Sequence, residues 1–311
     1  MGKTAFIFPG QGAQTVGMGK ELADNFAAAE EVFRIASDAL GIDMKKMVFE
    51  GDEETLQITE NTQPAILTTS IACLEVLKEK GIRPDVAAGL SLGEYSAHVA
   101  AGSISFTDAV RIVRKRGRFM QEAVPIGVGA MAAILGLNRE DVIDCCNQAR
   151  EAGTVEPANF NCPGQIVIAG EVKGVEKACE LAKKKGAKRT VFLPVSAPFH
   201  CSMLKPAEEK LAEELKNIHI NDMSIPVVAN VTGEYIQSKE QIKDLLIKQV
   251  TSCVLWEDSV RTMLRDGVDT FIEVGPGKTL SGFVKKIDKG ARIFNVQDLS
   301  SLENTCKGMG V

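Results

Sequence analysis

Only three histidines occur in the 311 residues, at His98, His200 and His219, so chemistry that needs an imidazole base has few candidates. The chain also has no excess of positive charge. Lys and Arg number 36 against 41 Asp and Glu, a formal net charge of −5, which excludes a global basic field for nucleic acid. No apolar run reaches the roughly 18–20 residues that span a bilayer. The opening "MGKTAFIFPGQG" carries a short apolar run that ends in Pro-Gly, so it is expected to be a first strand rather than a signal peptide. Phe6 stands where an N-myristoylation signal needs Ser or Thr. The eight cysteines form no C-x-x-C pair and no Cys/His ligand spacing, so no structural zinc is expected and a reducing cytoplasm suits them. Internal repeats and low-complexity segments are absent. What remains is ordinary globular composition, 45% hydrophobic and 25% charged, long enough for one large domain or two.

The order of elements points to α/β architecture. "TAFIFPG" reads as a strand, followed by a glycine-rich loop and helical patterns near 20–38 and 64–80. "PDVAAGL" reads as a strand, with a helix near 92–101, and "SFTDAVRIVRKRGRFMQEA" as a helix to about 122 with Thr107 as its cap. Between 128 and 195 the order becomes βαββαβ, the pattern of a ferredoxin-like domain. After it, strands "IPVVANV", "DTFIEVG" and "RIFNVQD" alternate with helices. We therefore expect a large hydrolase-like α/β domain with a mostly parallel sheet, residues 1–127 and 196–311, carrying a small ferredoxin-like domain, 128–195.

Four stretches carry chemistry. Gly89-Leu90-Ser91-Leu92-Gly93 follows a strand and opens a helix, the setting of a nucleophile elbow. Ser91 would then be presented at the carboxyl end of the strand, with the Leu92 N–H facing an oxyanion. A helix-capping serine is the plainer alternative. A serine nucleophile needs a base. His98 sits in an alanine-rich helix and His219 among polar residues. His200 lies in "LPVSAPFHCSM", a loop where the two domains meet, and is the candidate. "FPGQG" lets backbone approach a ligand at Gly10 and Gly12, and the Gln11 N–H could be a second oxyanion donor. In "RIVRKRGRF", Arg116 falls on the apolar stripe of Ala109, Ile112, Val113 and Met120, whereas Arg111, Arg114, Lys115 and Arg118 fall outside it. A buried guanidinium needs an anionic partner, either a carboxylate of the protein or one on a substrate. "EVGPGKT" is not a P-loop, because Ile272 stands where that pattern wants glycine.

With "FPGQGAQ", "GLSLGEYSA", "RGRFMQEA", "GAMAAILG", "SAPFHCSM", "ANVTG" and "EVGPG" in order, the chain resembles the malonyl-CoA:acyl carrier protein transacylases over essentially its whole length. The resemblance implies that Ser91 carries the acyl group, His200 is the base and Arg116 holds the free malonyl carboxylate. It also implies that Gln11 and Leu92 lend oxyanion N–H groups and that Gln249 orders the site. Malonyl-CoA and an acyl carrier protein are the implied partners, with no metal, cofactor, nucleic acid or membrane. Leu90 replaces a histidine that many relatives have, and Cys253 a proline before Val-x-Trp256. Rival readings are a serine hydrolase or thioesterase with the same elbow, a polyketide-type acyltransferase, and an idle module that only binds carrier proteins.

Overall fold

The computed structural model describes residues 2–195 and 197–311. Ser196, the first residue of "SAPFHCSM" and of the expected second segment of the large domain, lies outside the described residues, as does Met1. The strands are β1 (Lys3–Phe8), β2 (Val86–Gly89), β3 (Gly129–Leu135), β4 (Val155–Cys162), β5 (Gln165–Glu171), β6 (Arg189–Phe192), β7 (Val227–Val228), β8 (Val268–Val274) and β9 (Arg292–Val296). Among the described residues they form two sheets. The larger has the order β7-β2-β1-β8-β9, with every pairing parallel.

β1 is buried from Thr4 to Phe8 because helices cover both faces of this sheet, which demands near-continuous rather than alternating apolar sequence. Its side chains still alternate. Phe6 and Phe8 join the core under the helix Thr59–Glu79, while Ala5 and Ile7 pack on the other face with Trp256 and Phe283. The smaller sheet has the order β4-β5-β3-β6 and is antiparallel throughout. The helices Arg139–Ala149 and Val172–Lys184 bury one of its faces through Val142, Cys146, Val175 and Ala178. Met131, Ala133, Val167 and Ala169 on the other face join the main core.

Two contacts lock the sheets together. Val254 donates to the carbonyl of Ala158 at 2.8 Å and accepts from the Phe160 N–H at 2.9 Å, which extends the small sheet with a segment of the large part. Arg139 pairs with Asp258 at 2.6 Å and lies over the Phe160 ring.

Local departures from the sequence reading have physical causes. The helix expected over 20–38 is two helices, Lys20–Asn25 and Ala27–Leu40, because Phe26 is extended between them. The cap of Phe106–Glu122 is Ser105, not Thr107; its hydroxyl accepts from the Asp108 N–H at 3.1 Å. β7 is only two residues long, since Ala229 turns to bond the Glu234 carbonyl. A terminal helix, Leu299–Met309, held by a capping box of Asp298 and Ser301, had no counterpart in the sequence reading.

Candidate active site

Sterics fix both glycines that flank Ser91. A Cβ on Gly89 would lie 2.0 Å from the Gly93 carbonyl, and a Cβ on Gly93 would lie 2.1 Å from the Phe8 carbonyl oxygen. The end of β2, the start of the helix Gly93–Ala100 and the end of β1 therefore touch backbone to backbone. The chain turns between them at Ser91, which has φ 53°. Among the described residues only Ser91 and His200 are non-glycine residues with positive φ, a conformation that costs on the order of 1 kcal/mol. Asn230 offsets that cost at the elbow. Its Oδ1 accepts from the Ser91 N–H at 2.6 Å and its Nδ2 donates to the Gly89 carbonyl at 2.6 Å.

The other left-handed residue faces this turn. His200 Nε2 lies 2.7 Å from Ser91 Oγ, and His200 Nδ1 lies 2.8 Å from the backbone oxygen of Gln249. A carbonyl only accepts, so Nδ1 carries the hydrogen and the Nε2 lone pair points at the hydroxyl. Burial, reinforced by the nearby Arg116 charge, pushes the His200 pKa down to about 4, which keeps the ring neutral near pH 7 with its Nε2 lone pair free to accept a proton. In this dyad a backbone carbonyl does the orienting that a carboxylate does in many serine enzymes.

Arg116 reaches the same point from the helix Phe106–Glu122. It is 1% exposed, as its place on the apolar stripe requires. Nη1 donates to Gln63 Oε1 at 2.8 Å; Nη2 donates to Gln249 Oε1 at 2.9 Å and to Ser91 Oγ at 3.2 Å. The guanidinium lies over the Tyr95 ring, 5.6 Å from its centroid. Among the described residues no carboxylate lies within ion-pair distance of it. The nearest acidic link runs through Gln249, whose Nε2 donates to the Ser91 carbonyl at 3.0 Å and to Glu94 Oε2 at 2.6 Å.

The "FPGQG" loop borders the elbow. Leu90 donates to the Phe8 carbonyl at 3.0 Å, and a Cβ on Gly10 would lie 2.5 Å from the Leu90 oxygen. The N–H groups of Gln11 and Leu92 donate to no protein acceptor among the described residues, so both remain available to a ligand. The Gln11 side chain is anchored at Thr59 Oγ1, 3.3 Å away.

The remaining candidates stand apart. His98 is buried against the Ser103 hydroxyl at 2.9 Å, and His219 is exposed. "EVGPGKT" is a strand end and a helix start, with Glu273 accepting the N–H groups of Leu280 and Ser281. Leu90 packs against the apolar cluster that contains Ile7 and Trp256. Among the described residues no group of three or more His, Cys, Asp or Glu could hold a metal ion. Sequence reasoning had not singled out Gln63, Glu94 or Asn230. Glu94 and Asn230 stand inside the quoted motifs "GLSLGEYSA" and "ANVTG", whereas Gln63 gave no signal of its own.

A family model described as an acyl transferase domain matches residues 5–300. The malonyl CoA-acyl carrier protein transacylase of Bacillus subtilis strain 168 is 53% identical over 304 residues, 97% of this chain and 96% of that protein. A crystal structure of the malonyl CoA-acyl carrier protein transacylase from Clostridium perfringens superposes with a TM-score of 0.97 at 51% identity, over 99% of this chain and 97% of that one. A type II PKS acyl-carrier protein in complex with its malonyl-transacylase offers another match, to a chain at TM-score 0.96 and 44% identity, over 98% of this chain and 99% of that one.

Proposed function

The chain belongs to the acyl transferase family, and on that premise we propose that it moves a malonyl group from malonyl-CoA to the phosphopantetheine thiol of an acyl carrier protein, through a malonyl ester on Ser91. In the first half-reaction His200 Nε2 takes the Ser91 proton as Oγ attacks the thioester carbon. The tetrahedral oxyanion is held by the N–H groups of Gln11 and Leu92. Collapse breaks the C–S bond, and the departing coenzyme A sulfur takes the proton back from His200. In the second half the pantetheine thiol gives its proton to His200 and attacks the ester. Ser91 Oγ then leaves and recovers that proton. No step needs a metal or a redox group.

One observation carries the choice of malonyl. Arg116 is a buried cation whose partners are two amide oxygens and the nucleophile itself. Such a charge is undercompensated until an anion arrives. The Nη2 hydrogen aimed at Ser91 Oγ is the one released when that oxygen is acylated. It can then join an Nη1 hydrogen in gripping the free carboxylate of the acyl group. The proposed setting is the cytoplasm: the eight cysteines are all free, as in a reducing compartment.

Intact mass after mixing with malonyl-CoA tests the reading. One malonyl adduct is expected, stable until carrier protein is added, and absent from Ser91→Ala. An adduct that persists in Ser91→Ala, or one that hydrolyses at once without carrier protein, would assign the chemistry elsewhere or make the enzyme a thioesterase.

A further inference from the structure

Glu94 stands three residues after Ser91, in the first turn of the helix Gly93–Ala100, and is 0% exposed. A carboxyl group buried to this extent without a direct cationic partner is costly, and a fold alone has no need of it. Burial lifts its pKa to about 7. Its oxygens are used unequally. Oε2 accepts from Gln249 Nε2 at 2.6 Å and from the Asn230 N–H at 3.1 Å, while Oε1 meets no donor among the described residues.

The arrangement makes sense from the side of Gln249. Its amide has two hydrogens on nitrogen and an acceptor oxygen, and it could sit either way round. Turned over, it would set its NH2 against the Arg116 guanidinium and its oxygen against the Ser91 carbonyl. In the observed orientation the two hydrogens go to the Ser91 carbonyl and to Glu94, so the oxygen is left to Arg116. Glu94 is the side-chain acceptor that holds the amide this way. Among the described residues its carboxyl group makes no hydrogen bond to Ser91 Oγ or to His200.

We propose, resting on the acyl-transfer reading above, that Glu94 is a positioning residue for the acyl donor: through the Gln249 amide it fixes the Arg116 guanidinium in the orientation that takes a free carboxylate. Its influence therefore falls on donors that carry that carboxylate. The Ser91–His200 pair keeps its own anchors, because His200 bonds the backbone rather than the side chain of Gln249, and Asn230 holds the elbow with its side chain while only its backbone N–H goes to Glu94.

The test is the rate of Ser91 acylation by malonyl-CoA and by acetyl-CoA, read by intact mass in wild type and in Glu94→Ala, Glu94→Asp and Glu94→Gln. Losing the buried acceptor shared by the Gln249 amide and the Asn230 N–H implies about a 10- to 100-fold fall in kcat/KM for malonyl-CoA in Glu94→Ala, mainly through KM. Glu94→Asp, which draws the acceptor back by one methylene, falls in the same direction and carries the test should the alanine variant not fold. Acetyl-CoA should stay within about 3-fold, since it presents nothing to Arg116. Glu94→Gln keeps an acceptor oxygen and should retain malonyl loading to within about 5-fold. An equal fall for both donors in a folded variant makes Glu94 merely structural and overturns the proposal. So does wild-type malonyl loading in both Glu94→Ala and Glu94→Asp. A wild-type protein that takes no malonyl at all sinks the acyl-transfer reading itself, and the Glu94 role with it.

Discussion

A guanidinium whose hydrogen bonds go only to amide and hydroxyl oxygens has lost its hydration without a carboxylate in direct contact; Glu94 acts on it only from beyond the Gln249 amide. Burial accordingly lowers the Arg116 pKa below its ordinary value. A malonyl carboxylate would reverse that deficit, and its loss is measurable. Removing one partner of a desolvated charge pair costs roughly 2–5 kcal/mol, or about 30- to several-thousand-fold in rate. Arg116→Ala should therefore collapse Ser91 acylation by malonyl-CoA and leave acetyl-CoA unchanged or faster. Arg116→Lys should recover only part, because a point charge cannot make the two-pronged contact. Equal loss for both donors would mean that Arg116 serves the fold rather than the substrate. At this scale the sequence was informative where one residue broke a pattern: Arg116 within an apolar stripe, Ser91 between glycines. Gln63 breaks no pattern. It stands at the edge of a long buried helix, and only the packing of that helix against Phe106–Glu122 turns its oxygen toward Arg116.

Among the elements, the elbow is the one with no slack. Gly93→Ala would drive a Cβ to within 2.1 Å of the Phe8 oxygen and 2.8 Å of its carbon, both backbone atoms of β1. The strand or the helix must move, at a cost of about 1–3 kcal/mol or more, and the Leu92 N–H moves with it. Gly282 is the contrast. It lies in the exposed interior of the helix Thr279–Ile287 with nothing near its Cβ position, so Gly282→Ala should stabilise by roughly 0.5–1 kcal/mol. Urea midpoints of the two variants should move in opposite directions, and acylation of Ser91 should fall only in Gly93→Ala. Equal midpoints would deny the backbone contact that shapes the elbow. The same packing explains what the sequence hid here. Strand periods were legible for β3 and β5, seven residues each and paired without irregularity, whereas β6 has only four residues and ends at Phe192. β7 was overestimated because Asn230 leaves the strand to hold Ser91, a tertiary demand with no local signature. The terminal helix Leu299–Met309 rests on a cap at Asp298 that sequence reasoning passed over.

For the whole molecule the question is how a chain of net charge −5 receives an acidic partner. The sequence holds two basic clusters, Lys183 to Arg189 and Lys285 with Lys286, far apart in number. In the fold they meet. Arg189 of β6 pairs with Leu135 of β3, Leu135 pairs with Gln165 of β5, and Lys286 Nζ donates to Gln165 Oε1 at 3.1 Å. Lys188 packs beside Gly136 at the same sheet edge. Lys185 drops out of this surface because Asp141 and Asp144 bind it at 3.1 and 2.6 Å. The exposed residues that these pairings bring to the seam between the small sheet and the helix Thr279–Ile287 are Lys188, Arg189 and Lys286. A local field of this kind can steer an acidic carrier protein against the global repulsion, and salt screens it with a Debye length of about 10 Å at 0.1 M. Arg189→Glu and Lys286→Glu should each raise the KM for carrier protein and leave that for malonyl-CoA unchanged. Because the two positions flank one seam, the double variant should also flatten the rise of that KM with ionic strength. Lys185→Glu, already neutralised by its aspartates, should do far less to carrier binding. If Lys185→Glu matches the other two, or if malonyl-CoA is weakened equally, the seam is not where the carrier protein docks.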